Sequence, residues 1–157
     1  MDLSYARVAS PVGTWTVVGT DRGITRVLMP HEPSPPASNA ASPCVSDAAH
    51  QLGEYFRGTR TTFDVVLVDA PATQFQREVW HVLRSLPYGT VATYARVAEL
   101  ARRPRAARAV GNANHANPWP VIVPCHRVVA SNGLGGYGGG ETVKRFLLEI
   151  EGVVISD

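Results

Sequence analysis

An α+β fold is predicted for this chain: a small sheet-plus-helix subdomain over 1–70, packed on a mainly helical subdomain over 71–157 that contains a helix-turn-helix. Three observations carry that expectation. The first seventy residues hold short strand-like apolar runs broken by Gly and Pro turns. From Thr73 onward the apolar residues switch to the three-and-four spacing of helices. The length of 157 residues with 45% hydrophobic content suits one domain or two small ones.

In the first half, Leu3 to Ala9 alternates roughly, and Ser10-Pro11-Val12-Gly13 turns the chain. Trp15 to Gly19 reads as a second strand, Asp21-Arg22-Gly23 as a turn and Ile24 to Met29 as a third strand, which is a β-meander. Pro30 to Pro43 is rich in Pro, Ser and Ala and is predicted to be a mobile loop. Cys44, at its end, is expected to be inert, because no acid or base is near it in sequence. Val45 to Phe56 has helical spacing through Ala48, Ala49, Leu52, Tyr55 and Phe56, and Gly58 ends it. Phe63 to Val68 reads as a further strand. This half is a scaffold in which nothing indicates chemistry.

In the second half, Thr73 can cap a helix whose apolar stripe runs through Phe75, Val79, Trp80, Val82, Leu83 and Leu86, and Pro87-Tyr88-Gly89 stops it. Thr93 can cap a short helix from Tyr94 to about Ala101, with Val97, Ala98, Leu100 and Ala101 inward. Pro104 suits the first position of the next helix, which continues through Val110. Its small residues Ala106, Ala107, Ala109 and Gly111 permit close approach to another backbone. The helix pair predicts a helix-turn-helix, although Arg102 and Arg103 fill a turn better suited to Gly and a capping residue. Asn112 to Pro120 reads as a polar loop, and Val121 to Val123 as a strand. The run Ser131 to Gly140 lacks the Lys-Ser/Thr ending of a phosphate loop and reads as a flexible segment. The last helix runs from Glu141 to about Glu151, with Val143, Phe146, Leu147 and Ile150 on one face.

The stretch Val121-Ile122-Val123-Pro124-Cys125-His126-Arg127-Val128-Val129 carries the chemistry. Cys125 stands where the apolar run ends, on a turn set by Pro124. Positive charge from His126 and Arg127 is expected to lower the thiol pKa. Glu151, at a helix C-terminus where the dipole disfavours an anion, needs a partner, and His126 is the candidate. Cys125, His126 and Glu151 then make a nucleophile, a base and an orienting acid. Adjacent Cys and His side chains often diverge, so a bridging water is expected in the proton path. Read alone, such a set serves a cysteine hydrolase equally well.

The net charge of +2 is small, but Arg96, Arg102, Arg103, Arg105 and Arg108 crowd one segment opposed only by Glu99. That local basic face suggests a phosphate-bearing partner. Two cysteines make no disulfide framework and fit a reducing compartment. No signal peptide or membrane-length apolar run is read, so a soluble cytoplasmic protein with no membrane partner is expected. His31, His50, His81 and Cys44 show no ligand spacing, so no metal is predicted.

Pro-Cys-His-Arg-Val after a short apolar run resembles the active-site signature of the O6-alkylguanine-DNA alkyltransferases, the methylated-DNA–protein-cysteine methyltransferases. The likeness covers nearly the whole chain and is strongest from Phe75 to Gly152. It implies repair of duplex DNA by flipping out an O6-alkylguanine, with O4-alkylthymine a second candidate, and by irreversible transfer of the alkyl group to Cys125 in one turnover, without a cofactor. It implies that His126 takes the thiol proton through a water, that Glu151 holds His126, and that Tyr94 hydrogen-bonds the leaving guanine. Asn117 would tie the helix pair to the active-site turn. Arg108 would fill the space of the flipped base, in a helix that enters the minor groove. Thr93, Arg105, Ala107, Ala109, Gly111 and Asn112 would line the DNA contact. Backbone groups of Val128, Tyr137 and Gly138 would recognise the base; Gly138 stands where some relatives carry serine, which leaves a roomier pocket. A monomer is expected, with cooperativity on DNA left open. The rival readings are a damage-binding relative without catalysis, which the intact Cys125 opposes, a DNA-binding regulator, for which an added module has no room, and the cysteine hydrolase.

Overall fold

The computed structural model describes residues 3–33, 35 and 40–155. The chain divides into two units, 1–70 and 71–157. With a three-stranded antiparallel sheet and five α-helices it is an α+β protein, as expected.

In the first unit, β1 (Ser4–Ser10), β2 (Gly13–Gly19) and β3 (Ile24–Leu28) form an antiparallel meander, with Ser10 opposite Gly13 and Val17 opposite both Ala6 and Val27. The β1–β2 turn is tied by Ser10 Oγ, which accepts from Trp15 Nε1 at 3.0 Å and donates to Gly13 O at 2.8 Å. Helix α1 (Pro43–Phe56) packs on this sheet and buries Val45, Ala48, Leu52 and Tyr55 against Trp15, Val17, Ile24 and Val27. Ser42 is its N-cap and Pro43 its first residue, so Cys44 lies in the first turn rather than in a loop. Gly58, at φ +76°, closes the helix in the left-handed conformation, with its N–H on Tyr55 O. Of the loop expected over 30–43, residues 34 and 36–39 lie outside the described residues.

The strand expected over Phe63–Val68 does not form. Only Leu67 bridges to Ile24. The physical reason lies in α1: buried Gln51 takes the backbone of Asp64, accepting from its N–H at 2.9 Å and donating to its C=O at 3.0 Å. Those groups are thereby withdrawn from a ladder.

In the second unit, α2 (Gln74–Ser85) starts with a complete capping box between Thr73 and Gln76. It buries Val79, Trp80, Val82 and Leu83. Trp80 donates to Ala113 O at 2.9 Å and meets Trp119 edge-on at 5.7 Å. β4 (Ala92–Thr93) leads directly into α3 (Tyr94–Leu100), capped by Thr93 as expected. Leu100 does not face inward; it is 42% exposed, while Val97, Ala98 and Ala101 are buried.

The second helix of the pair, α4, spans Ala107–His115. It begins later than the position of Pro104 suggests and extends through Asn112–His115, which were expected in a loop. Arg102 takes a left-handed φ of +61°, Arg103 N–H returns to Ala98 O at 2.9 Å, and Ala106 N–H to Arg103 O at 2.9 Å. The chain is therefore still turning at Pro104. Apolar spacing then carries the helix on through Val110 and Ala113, both buried.

The Val121–Val123 strand is also absent. Pro118, Pro120 and Pro124 remove ladder donors, and Val121 adopts φ +76°. A 3₁₀ turn over Cys125–Arg127 follows, then β5 (Val128–Val129), which pairs in parallel with β4. α5 (Glu141–Ile150) closes the unit and buries Val143, Lys144, Leu147 and Leu148. Among the described residues, no helix is long and apolar enough to cross a membrane.

Candidate active site

Cys125 opens the 3₁₀ turn, at the junction between the loop that follows α4 and β5. Asn117 sets the loop's shape: its Nδ2 donates to Val123 O at 2.8 Å and its Oδ1 accepts from Trp119 N–H at 2.9 Å. Cys125 N–H bonds Val123 O and Val128 N–H bonds Cys125 O, so the backbone on both sides of the thiol is pinned.

Cys125 is only 3% exposed. Burial raises its thiol pKa, opposed by hydrogen bonds from Asn117 and Tyr137 and by the charge of Lys144. The expectation that His126 and Arg127 lower it is therefore corrected. The His126 imidazole is itself pushed down by burial, hence neutral at pH 7, despite the Glu151 carboxylate that favours its charged form. The Arg127 guanidinium is spent on Glu151. The Tyr137 hydroxyl stands 3.9 Å from Sγ.

His126 and Glu151 meet as anticipated, Nε2 to Oε2 at 2.7 Å, both fully buried. The carboxylate also accepts from Arg127 Nε at 2.9 Å, Arg127 Nη2 at 3.0 Å and Gly89 N–H at 2.9 Å. Arg127 continues to Leu86 O at 2.7 Å and lies over the Tyr88 ring, while the Tyr88 hydroxyl donates to Ile150 O at 3.1 Å. These partners answer the dipole penalty at the end of α5. With Nε2 on the carboxylate, Nδ1 is left as the proton-accepting nitrogen of a neutral ring.

Tyr94 opens α3 half-buried and donates to Gly136 O at 3.3 Å in the glycine-rich segment. Burial raises its phenol pKa, and the Cys125 charge adds to that, so it remains a donor at neutral pH. A Cβ on Gly111 would come within 3.8 Å of the Tyr94 ring, which places α4 close behind it. Arg105, Arg108 and Asn112 are exposed, whereas Ala107, Ala109 and Gly111 are half-buried. Of the other arginines in this stretch, Arg96 pairs with Glu99 at 3.1 Å, an exposed contact that costs little to exchange for phosphate, and Arg103 with the half-buried Glu78 at 3.6 Å. Val128 is fully buried, and its C=O accepts from Lys144 Nζ at 2.6 Å. Tyr137 is half-buried and Gly138 exposed.

Two models of the 6-O-methylguanine DNA methyltransferases match the chain: the ribonuclease-like domain over residues 3–70 and the DNA binding domain over 74–153. The chain belongs to this family. The methylated-DNA–protein-cysteine methyltransferase of Mycolicibacterium paratuberculosis is 42% identical over 153 residues, which span 95% of this chain and 92% of that protein. The constitutive enzyme of Bacillus subtilis is 38% identical, over 94% of each. Among solved structures, the Mycobacterium tuberculosis O6-methylguanine methyltransferase superposes with a TM-score of 0.84 at 41% identity, over 96% of this chain and 93% of that one. The same organism's protein in complex with DNA gives 0.85 at 42%, over 94% and 92%.

Three residues packed about this site escaped the sequence reading as structural partners. Arg127 was credited to the thiol and instead serves Glu151. Gly89 looked only like a helix stop, yet its turn aims an N–H at the carboxylate. Lys144 sits within the apolar stripe of α5, and the signal was available: it is the only lysine in the chain. Among the described residues, no three His, Cys, Asp or Glu side chains gather to hold a metal, and Cys44 Sγ donates to Thr20 O at 2.8 Å.

Proposed function

We propose that this protein repairs duplex DNA by irreversible transfer of an alkyl group from O6 of guanine to Cys125. The observation that carries the reading is the buried Glu151–His126 pair, its histidine next in sequence to a cysteine on a pinned turn, inside the matched DNA binding domain. A protonated, buried thiol needs a base, and the neutral imidazole is one. The S–H proton passes through a water to His126 Nδ1. The thiolate attacks the alkyl carbon, the C–O6 bond breaks, and its electron pair leaves on the guanine oxygen. Tyr94 donates a hydrogen bond to that base as it departs. The product is a neutral thioether, which nothing in the site can cleave, so each molecule acts once.

The α3–α4 pair serves as a helix-turn-helix, with α4 in the minor groove, where Ala107, Ala109 and Gly111 suit close approach. Thr93, Arg105 and Asn112 flank the backbone, and Arg108 fills the gap left by the flipped base. Backbone groups of Val128, Tyr137 and Gly138 receive the guanine, and Asn117 positions the turn. The protein works as a cytoplasmic monomer. The 71–157 unit carries DNA binding and alkyl acceptance, and 1–70 is its scaffold.

Mass spectrometry after incubation with an O6-methylguanine duplex tests this. One methyl on Cys125, none on Cys44 and none in Cys125→Ser is expected; repeated turnover, as a hydrolase would give, or no adduct overturns it. An O4-methylthymine duplex in the same assay tests the second substrate.

A further inference from the structure

Arg102 and Arg103 fill a turn better suited to glycine and a capping residue, and neither belongs to the site assigned to the reaction. The turn is a complete Schellman closure of α3: Arg103 N–H returns to Ala98 O and Arg102 N–H to Glu99 O, both at 2.9 Å. Its left-handed position ordinarily selects glycine, because a Cβ is disfavoured there. Here it holds Arg102, at φ +61°. Arg102 is exposed, and among the described residues no carboxylate pairs with its guanidinium, whereas Arg96 and Arg103 are both paired.

This turn and α2 together form an open groove lined by Arg77, Glu78, His81, Leu100, Arg102 and Arg103. Three guanidinium groups stand around one carboxylate. That carboxylate is already engaged: Glu78 Oε2 lies 3.6 Å from Arg103, and Oε1 accepts from Gln74 at 3.2 Å. The groove is therefore cationic. Its apolar floor is thin, because Val82 and Ala101 are only 8% and 7% exposed, which leaves Leu100, at 42%, as the main apolar surface. Charge rather than apolar area selects the occupant, and a polyanion fits.

The neighbouring helix decides which polyanion. An α-helix is about 10–12 Å across, while the minor groove of B-form DNA is about 6 Å wide. A helix entering that groove presses the residues that lead into it against a phosphate strand. The residues leading into α4 are Arg102, Arg103 and Arg105, all exposed.

We propose that this groove is a second DNA contact, in which Arg102 holds a backbone phosphate outside the minor-groove contact of α4. This rests on the function proposed above. The contact reads charge, so it is indifferent to base sequence and to alkylation. It accounts for an arginine at a backbone position that otherwise favours glycine.

The test is the salt dependence of binding to an unmodified duplex, followed by fluorescence anisotropy with the full chain. Wild type is measured first, and absence of DNA binding marks failure of the functional reading rather than of this contact. Each neutralised phosphate contributes about 0.9 to the slope of log affinity against log salt. Arg102→Gly suits the left-handed φ, so it should fold at least as well and lower the slope by about 0.9. At about 0.15 M salt this corresponds to binding about fivefold weaker. Arg102→Asn, also at ease in that conformation, should do the same and serves if the glycine variant does not fold. Arg102→Lys keeps the charge and should keep the slope. A wild-type slope in Arg102→Gly or Arg102→Asn overturns the proposal and leaves the groove to an acidic peptide. An equal loss in Arg102→Lys overturns it as well, because shape rather than charge would then be responsible.

Discussion

Replacing Glu151 by Gln strikes the most connected group in the site. The carboxylate has no exposed side-chain surface and accepts four hydrogen bonds, two of them from Arg127, whose own side chain is 8% exposed. The amide preserves shape but removes the charge and turns one oxygen into a donor facing another donor. Arg127 is left buried without its counter-ion, a loss of about 3–5 kcal/mol. At roughly 2–4 °C per kcal/mol for a chain of this length, melting should fall by roughly 6–20 °C. The amide also donates to His126 Nε2, which reverses the tautomer and takes the acceptor away from Nδ1, so methyl transfer should slow as well. Urea denaturation of wild type, Glu151→Gln, Arg127→Met and the double variant checks the reasoning. Removing both partners should cost less than the sum of the single losses by more than about 1 kcal/mol. A Glu151→Gln protein within about 1 kcal/mol of wild type, or strictly additive losses, would refute it.

Two further outcomes are expected. Arg108→Ala should slow repair of methylated duplex about tenfold or more, because an unfilled stack costs a few kcal/mol, while reaction with free O6-methylguanine changes less; equal loss on both substrates would remove the base-displacing role. His126 is held below its ordinary 6.5 by burial, so below 6.5 the unfolded chain binds a proton that the native state resists. Its contribution to stability is complete above 6.5 and fades as pH falls through the depressed folded value. Stability measured at pH 7.5 and 5.5 should therefore drop more in wild type than in His126→Gln; parallel curves would show that the imidazole is not held neutral.

What could be read from sequence was whatever depended on neighbours along the chain. The caps at Thr73 and Thr93, the meander strands and the amphipathic helices are local signals, and all of them form. The His126–Glu151 pair was also anticipated, from the unfavourable dipole at the end of α5 and the need for a partner. Features decided by distant partners were misread. Asp64 looked like part of a strand until Gln51, thirteen residues away, claimed its backbone. β4 and β5 are too short to announce themselves and exist only as a pair. The thiol was assigned the charges adjacent to it in sequence, yet Arg127 points to a residue twenty-four positions on and the effective cation comes from α5. Sequence adjacency is a poor guide to electrostatics in a tight turn, because successive side chains leave it in different directions.

Val121 is buried and branched at Cβ, yet it sits at φ +76°, where such a residue costs about 1–2 kcal/mol. It is kept there by Val123 N–H on Trp119 O and by the two hydrogen bonds of Asn117. The perch of the sulfur is thus held against its own backbone preference by its neighbours. Asn117→Ala should let it relax, displacing the thiol while the helices keep their full circular dichroism.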